Sequence, residues 1–231
     1  SKIIAITGSC GKTSLKELIA NTLKKISQVT YSQESFNNKF GVPLSLFNIN
    51  KDDDFGIFEV GMDKKGEINN LSKIINPDVG VITNISYAHA KNFKNIKQIA
   101  LAKAEIINNI KSGGSLVLNA DDQFYNFHKK IALKKKLEIY SFSIKQKKSN
   151  IKLHSICKQK NKYKVFVQVE KKKLYFYTSS NFKNNIKNLL AAISVIGIFK
   201  KIDKLDKNIF YNFQTPKGRG DISRVKIYKK N

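Results

Sequence analysis

The sequence predicts an α/β fold, with a mostly parallel sheet flanked by helices and an antiparallel β extension after it. Three observations carry that reading. Short apolar runs alternate with longer amphipathic ones through the first two-thirds of the 231 residues. The short runs are apolar throughout, as strands are when helices cover both faces of a sheet. From Leu137 onward, strand-like runs follow one another with only polar turns between them, as antiparallel strands do.

Taken in order, strands are expected at 3–7, 55–60, 79–84 and 115–118, and helices at 12–26, 66–75, 96–110 and 122–133. Pro77-Asp78 and Gly113-Gly114 punctuate the connections. The extension reads as strands 137–142, 151–157, 163–169 and 174–178, and Tyr163 to Val169 alternates as a half-buried strand should. A last helix is expected at 182–200, around Leu189-Leu190-Ala191-Ala192. Residues 1–213 read as one domain, and 214–231, with Pro216 and the Gly218-Arg219-Gly220 turn, as a linker.

Composition limits the function classes. At 41% hydrophobic residues the chain can bury a core, and no apolar run approaches the roughly 20 residues of a membrane helix. Ser1 opens almost directly on a strand with no basic leader, so a piece cut from a longer chain is expected rather than a secreted protein. Cys10 and Cys157 lie far apart, with no zinc-type spacing, which points to a reducing, cytoplasmic setting. The net charge of +26 invites a nucleic-acid reading. Two features oppose it: only Arg219 and Arg224 are arginines, and the lysines are spread along the whole chain. Abundant Asn, Ile and Phe with no Trp fit a bias toward A and T codons. A basic nucleotide-loop module that binds nucleic acid is therefore the alternative from a different class, and salt-dependent DNA retention would favour it.

Thr7-Gly8-Ser9-Cys10-Gly11-Lys12 follows the first strand and leads into Thr13-Ser14 and an amphipathic helix. A phosphate-binding loop (P-loop) needs a strand, a tight turn with backbone N–H groups, a lysine, and a helix start facing the anion. Gly8 and Gly11 allow the turn, Lys12 can reach terminal phosphates, and Thr13 can ligate Mg²⁺. The spacing departs from the strict G-x-x-x-x-G-K-[ST] form, because the first glycine lies three residues before Gly11.

The short form T-G-[ST]-x-G-K-[ST]-[ST] resembles the loop of the ATP-dependent Mur ligases, which build the peptide of bacterial peptidoglycan. Further stretches match that family in order, from Thr7 to Arg219. They are the block from Asn37-Asn38 to Gly41-Val42-Pro43-Leu44, Glu59-Val60-Gly61 with Gly66-Glu67-Ile68, and Thr83-Asn84-Ile85 with Ala88-His89. Ala102-Lys103-Ala104-Glu105, Leu118-Asn119-Ala120-Asp121-Asp122, the Asn185-to-Ala192 stretch and Gly218-Arg219 complete the set. The resemblance implies the central ATP-binding domain of a cytoplasmic bacterial amide ligase, normally preceded by a UDP-binding domain and followed by another. It implies ATP, two Mg²⁺ ions, a UDP-muramoyl-peptide and D-alanyl-D-alanine as its small-molecule partners, and a monomer. Folylpolyglutamate, cyanophycin and other Mur-type ligases are alternatives within the same superfamily.

Site roles follow from the same resemblance. Gly8, Ser9, Cys10, Gly11, Lys12, Thr13 and Ser14 would hold the nucleotide phosphates, with Asn185 and Asn188 near the adenine and Arg219 reaching phosphate. Thr13 would ligate one Mg²⁺; Glu59, His89 and a CO₂ adduct (carbamate) on Lys103 would hold the second. Lys12, Lys103 and His89 carry the catalytic roles, and Asn37 and Asn38 face the substrate. Plainer readings exist: Thr13 a first-turn helix residue, Glu59 a capping or ion-paired carboxylate, His89 a structural histidine, Lys103 a solvated lysine, Asn185 and Asn188 helix-surface amides. Asp121 and Asp122 are expected to cap a helix, and His128 and His154 to be surface or core residues.

Overall fold

Strand β1 (Lys2–Thr7) is buried along nearly its whole length, and it is an interior strand, third from one edge of a nine-stranded sheet. A computed structural model describes residues 1–87, 92–145, 148–179, 185–214 and 216. After β1 come α1 (Lys12–Leu23), β2 (Val29–Tyr31), α2 (Gly41–Phe47), β3 (Phe55–Glu59), α3 (Glu67–Ile75), β4 (Val79–Ile82) and α4 (Ile96–Asn108). Then follow β5 (Ser115–Asn119), α5 (Tyr125–Lys134), β6 (Glu138–Ser143), β7 (Ile151–Gln159), β8 (Lys162–Val169), β9 (Lys172–Ser179) and α6 (Ile186–Phe199). The sheet runs β2-β3-β1-β4-β5-β6-β7-β8-β9. It is parallel as far as the β6–β7 pair and antiparallel across β7, β8 and β9.

The uniform apolar character of β1 has a simple cause, since its alternate residues serve two cores. Ile4 and Ile6 pack with Leu15, Leu18 and Ile19 of α1 and with Leu189, Leu190 and Ile193 of α6. Ile3 and Ala5 pack on the other face with Leu71 of α3 and Ile99 and Ile106 of α4. Burying such side chains on both faces supplies about 25 cal/mol per Å² of apolar area, and an alternating sequence would forfeit one face.

The expected elements are all present, with four corrections. β6, expected to open the antiparallel extension, pairs parallel with β5, from Ser115 opposite Glu138 to Asn119 opposite Phe142. The helix α5 between them is a crossover of the kind parallel strands require. β7 then overlaps β6 by only two parallel pairs, Phe142 with Ile151 and Ser143 with Lys152, before the hairpins begin. β2 and α2 were not foreseen, because one has three residues and the other starts Gly-Val-Pro. Pro43 is tolerated because it lies in the first turn, where its missing N–H has no partner to lose. Lastly, α1 ends at Leu23 rather than at 26, and α5 starts at Tyr125 rather than at 122. The expected linker lies outside the described residues, apart from Gln214 and Pro216.

Candidate functional site

The C-terminal ends of β1, β3 and β4 meet at one edge of the sheet. Strand order reverses there, because β3 lies on one side of β1 and β4 on the other. Such a switch point leaves a crevice between diverging loops, where ligands of parallel sheets bind. The register places Ile6 beside Glu59 and Thr7 beside Ile82, so the glycine loop leaves β1 between the ends of its two neighbours.

The loop after β4 holds the glycine loop in shape. Ser9 N donates to Asn84 O at 2.9 Å, Cys10 N to Asn84 Oδ1 at 2.9 Å, and Thr83 Oγ1 to Cys10 O at 2.7 Å. Ser9 Oγ donates to Ser86 O and accepts from Ser86 N. Gly8 has φ +144°, and a Cβ there would lie 1.9 Å from Thr83 Oγ1, so the two segments interlock only with glycine at this position. Gly11, at φ +83°, starts α1 with no side-chain cap. An uncapped helix start beside a glycine turn is the arrangement that receives phosphate. Asn188 Nδ2 reaches Gly11 O and Asn185 Oδ1, both at 3.4 Å, so α6 braces the loop from the other side.

A buried carboxylate stands behind the loop. Glu59, at the end of β3, is 1% exposed. Its Oε2 accepts from Thr13 Oγ1 at 2.7 Å, its Oε1 accepts from Asn37 Nδ2 at 2.7 Å, and Lys12 Nζ lies 4.0 Å from Oε1. Ser35 Oγ is 3.5 Å from Thr13 Oγ1. Gly61 N donates to Asn37 O, which brings the Asn37 segment down onto the end of β3. Asn38 is placed differently: its Oδ1 accepts from Phe40 N and Gly41 N and so starts α2. A cleft of about 410 Å³ opens beside Lys12, lined by Asn37, Asn38, Lys39, Gly61 and Asp63 among others.

Lys103 lies on α4 and is 1% exposed, which overturns the reading of it as a solvated lysine. Burial, with the nearby positive charge of Lys12 adding to it, pushes its ammonium down from 10.5 to about 7. Close to half of such amines are neutral near pH 7. The chain makes this possible locally by placing Ala102 and Ala104 around it on a helix that packs against the sheet.

The structure thus brings Gly8, Ser9, Cys10, Gly11, Lys12, Thr13, Ser14, Asn37, Glu59, Lys103, Asn185 and Asn188 toward one sheet edge. His89 and Arg219 lie outside the described residues. No group of three His, Cys, Asp or Glu side chains suited to a metal occurs among the described residues. Asp121 caps no helix: it accepts from Ser143 Oγ and Ile144 N and ties β5 to the end of β6. Asp122 accepts from Phe124 N just ahead of α5 and from Ile85 N, which anchors the β4 loop. His128 is buried and bonded to Ala100 O, and its ring is held below the usual histidine range mainly by burial; His154 is exposed. Two partly or fully buried polar contacts near the site escaped the sequence. Glu105 reaches across from α4 to accept from Gly66 N and Asn69 N at the start of α3, and nothing local to α3 announces a cap from another helix. Lys16 is fully buried, and nothing local signals it, since its neighbours are Leu15 on one side and the charged Glu17 on the other.

The family model for the Mur ligase middle domain matches residues 6–196. The chain belongs to the Mur ligase family. Among relatives, the UDP-N-acetylmuramoyl-tripeptide–D-alanyl-D-alanine ligase of Buchnera aphidicola (subsp. Baizongia pistaciae) is 34% identical over 230 residues, covering 98% of this chain and 49% of that protein. The ligase of the same name from Rickettsia prowazekii is 32% identical over 97% of this chain and 50% of its own length. A crystal structure of MurF from Acinetobacter baumannii superposes with a TM-score of 0.85 at 26% identity, over 97% of this chain and 48% of that one. MurF from Thermotoga maritima, solved in complex with ADP, gives a TM-score of 0.85 at 24% identity over 98% of this chain and 51% of that one, a likeness of fold. The Mur ligase chain described here therefore spans about half the length of these relatives. No helix among its described residues is long and apolar enough to cross a membrane.

Proposed function

We propose that this site binds Mg²⁺-ATP and serves an ATP-dependent amide ligase that joins D-alanyl-D-alanine to UDP-N-acetylmuramoyl-tripeptide. The observation that carries the reading is the buried Glu59 carboxylate, held by Thr13 and Asn37 and approached by Lys12 directly behind the glycine loop. A structural carboxylate at a strand end needs no phosphate-type loop in front of it. The names and lengths of the relatives supply the substrates.

The residues fit the groups such a reaction needs. Gly8 and Gly11 take the positive φ that the turn ahead of α1 requires, and Thr13 with Glu59 offers the hard oxygen donors that Mg²⁺ takes. Thr13 would hold one ion, and Glu59, His89 and a carbamate on Lys103 would hold a second. When bound, the ions supply the charge neutralisation needed where a carboxylate meets a triphosphate. Lys12 adds a fixed positive charge at the same place, and its 4.0 Å approach to Glu59 keeps it aimed there before any ligand arrives. The neutral form of Lys103 is the form that can add CO₂, losing a proton to become an anionic oxygen ligand. In the reaction, the tripeptide carboxylate attacks the γ-phosphorus of ATP, ADP leaves, and an acyl phosphate forms. The amine of D-alanyl-D-alanine then attacks the acyl carbon, loses a proton and displaces phosphate. Asn37 and Asn38 stand at the cleft where those substrates would lie, and Asn185 and Asn188 stand at the nucleotide side of the loop.

The test is calorimetric titration of Mg²⁺-ATP into the full natural chain and its Lys12→Ala variant, followed by assay of D-alanyl-D-alanine ligation. Binding that needs Mg²⁺ and is lost in the variant supports the reading, as does ATP-dependent ligation by the unsubstituted chain. Equal binding by both chains would reduce the glycine loop to a turn.

A further inference from the structure

Lys16 lies one helical turn beyond Lys12 and is 0% exposed. Stripping water from an ammonium costs several kcal/mol unless every N–H finds a partner. Here all three do. Lys16 Nζ donates to Ser32 O and Glu34 O and pairs with Glu17 Oε1 at 3.1 Å. Its charge also lies 5.6 Å from the centre of the Tyr31 ring.

The two carbonyls belong to a segment with a specific task. Ser32 Oγ accepts from Glu59 N at 3.2 Å, Ser35 Oγ lies 3.5 Å from Thr13 Oγ1, and Asn37 Nδ2 donates to Glu59 Oε1 at 2.7 Å. Between them Glu34 has φ +41°, a left-handed conformation that residues with side chains rarely adopt. A strained residue stays in place only where its surroundings fix it, and the Glu34 carbonyl is one of the atoms that Lys16 holds. An apolar side chain would satisfy the packing of α1 as well or better, yet it would release both carbonyls. The burial of this charge is therefore explained by the segment it secures.

We propose that Lys16 is a positioning residue: it fastens segment 32–37 to α1 so that Ser35 and Asn37 hold Thr13 and Glu59 in register for the Mg²⁺ of bound nucleotide. This rests on the Mg²⁺-ATP reading above. Lys16 touches no reacting atom; it acts through Asn37 and Ser35.

The experiment is a double-mutant cycle on the full natural chain. Lys16→Met, Asn37→Ala and the double variant are titrated with ATP with and without Mg²⁺, and folding is monitored by circular dichroism and thermal melting. Lys16→Met should weaken Mg²⁺-dependent binding about 10-fold and leave metal-free ATP affinity within about twofold. Asn37→Ala added to Lys16→Met should cost less than about threefold, because the first change already releases the segment. Losses that multiply, or that are equal with and without Mg²⁺, would overturn the positioning role and leave Lys16 a purely structural residue. Should Lys16→Met fail to fold, Lys16→Gln keeps an amide donor and runs the same cycle, with a smaller loss expected and the same criterion of non-additivity. Failure of the unsubstituted chain to bind Mg²⁺-ATP would defeat the nucleotide reading and this inference together. Normal binding in both unsubstituted chain and Lys16→Met would defeat only the inference.

Discussion

Lys103→Met tests the buried amine most directly. Methionine replaces the aliphatic stem of lysine and removes the charge. The Lys103 ammonium falls from 10.5 to about 7 on folding, so between those values the unfolded chain binds more protons than the folded one. Native stability must then rise with pH across that window. At about 1.36 kcal/mol per pH unit, holding the charge costs the native state about 5 kcal/mol near pH 6, and about 2 kcal/mol near pH 9. Lys103→Met removes that cost. The stability advantage of the variant should therefore shrink by about 3 kcal/mol between pH 6 and pH 9. Urea unfolding of both chains at each pH, in CO₂-free buffer, measures the gap. Adding bicarbonate at pH 8 should then stabilise the unsubstituted chain and leave the variant unmoved, since a carbamate confined to the native state adds stability by mass action. A gap that stays constant from pH 6 to pH 9 would refute the reasoning, because no amine would then be titrating in the native state within that window.

Three further outcomes follow from the structure. Gly8→Ala places a Cβ 1.9 Å from Thr83 Oγ1 at φ +144°, and it should abolish Mg²⁺-ATP binding and lower the melting temperature. Gly113→Ala, at φ +71° with nothing within 4 Å, should cost only the backbone strain of about 1 kcal/mol and leave binding intact. Glu105→Ala withdraws the carboxylate 2.8 Å from Gly66 N and should destabilise the chain by about 1–2 kcal/mol in urea unfolding, with Mg²⁺-ATP affinity unchanged.

The parallel half of the fold was legible because burial on both faces writes itself into the sequence as uninterrupted apolar runs. β1, β3, β4 and β5 could be read from this pattern, and the helices between them from their amphipathic spacing. β6 carried no such mark of its neighbours. Glu138 and Ser143 look the same on a parallel or antiparallel strand, and only α5 as a crossover decides between them. Within the site, Lys12, Thr13 and Glu59 were legible because a turn, a helix start and a strand end announce their positions. Lys16 and Glu105 were not, since the carbonyls and amides they hold lie outside their own helices and charged residues on helices ordinarily face water. Lys103 was singled out through its family likeness, while its burial became visible only with the packing of α4. Local sequence records the faces of an element; it does not record which distant carbonyl or amide a long side chain will find.

The interior place of β1 bears on how the protein must be made. Its residues leave the ribosome among the first of this domain, yet both of its pairing partners, β3 and β4, lie some 50 to 80 residues downstream. One of its two apolar faces is completed only by Leu189, Leu190 and Ile193 of α6. Until β3 and β4 are made the nascent chain therefore carries an unpaired, largely apolar strand, and one of its faces stays uncovered until α6 follows. Such long-range pairing is slow, and exposed strand edges invite aggregation. The strand that leads into the glycine loop thus begins as a segment in need of protection, and the loop acquires its shape only when Asn84 and Asn188, made later, return to enclose it.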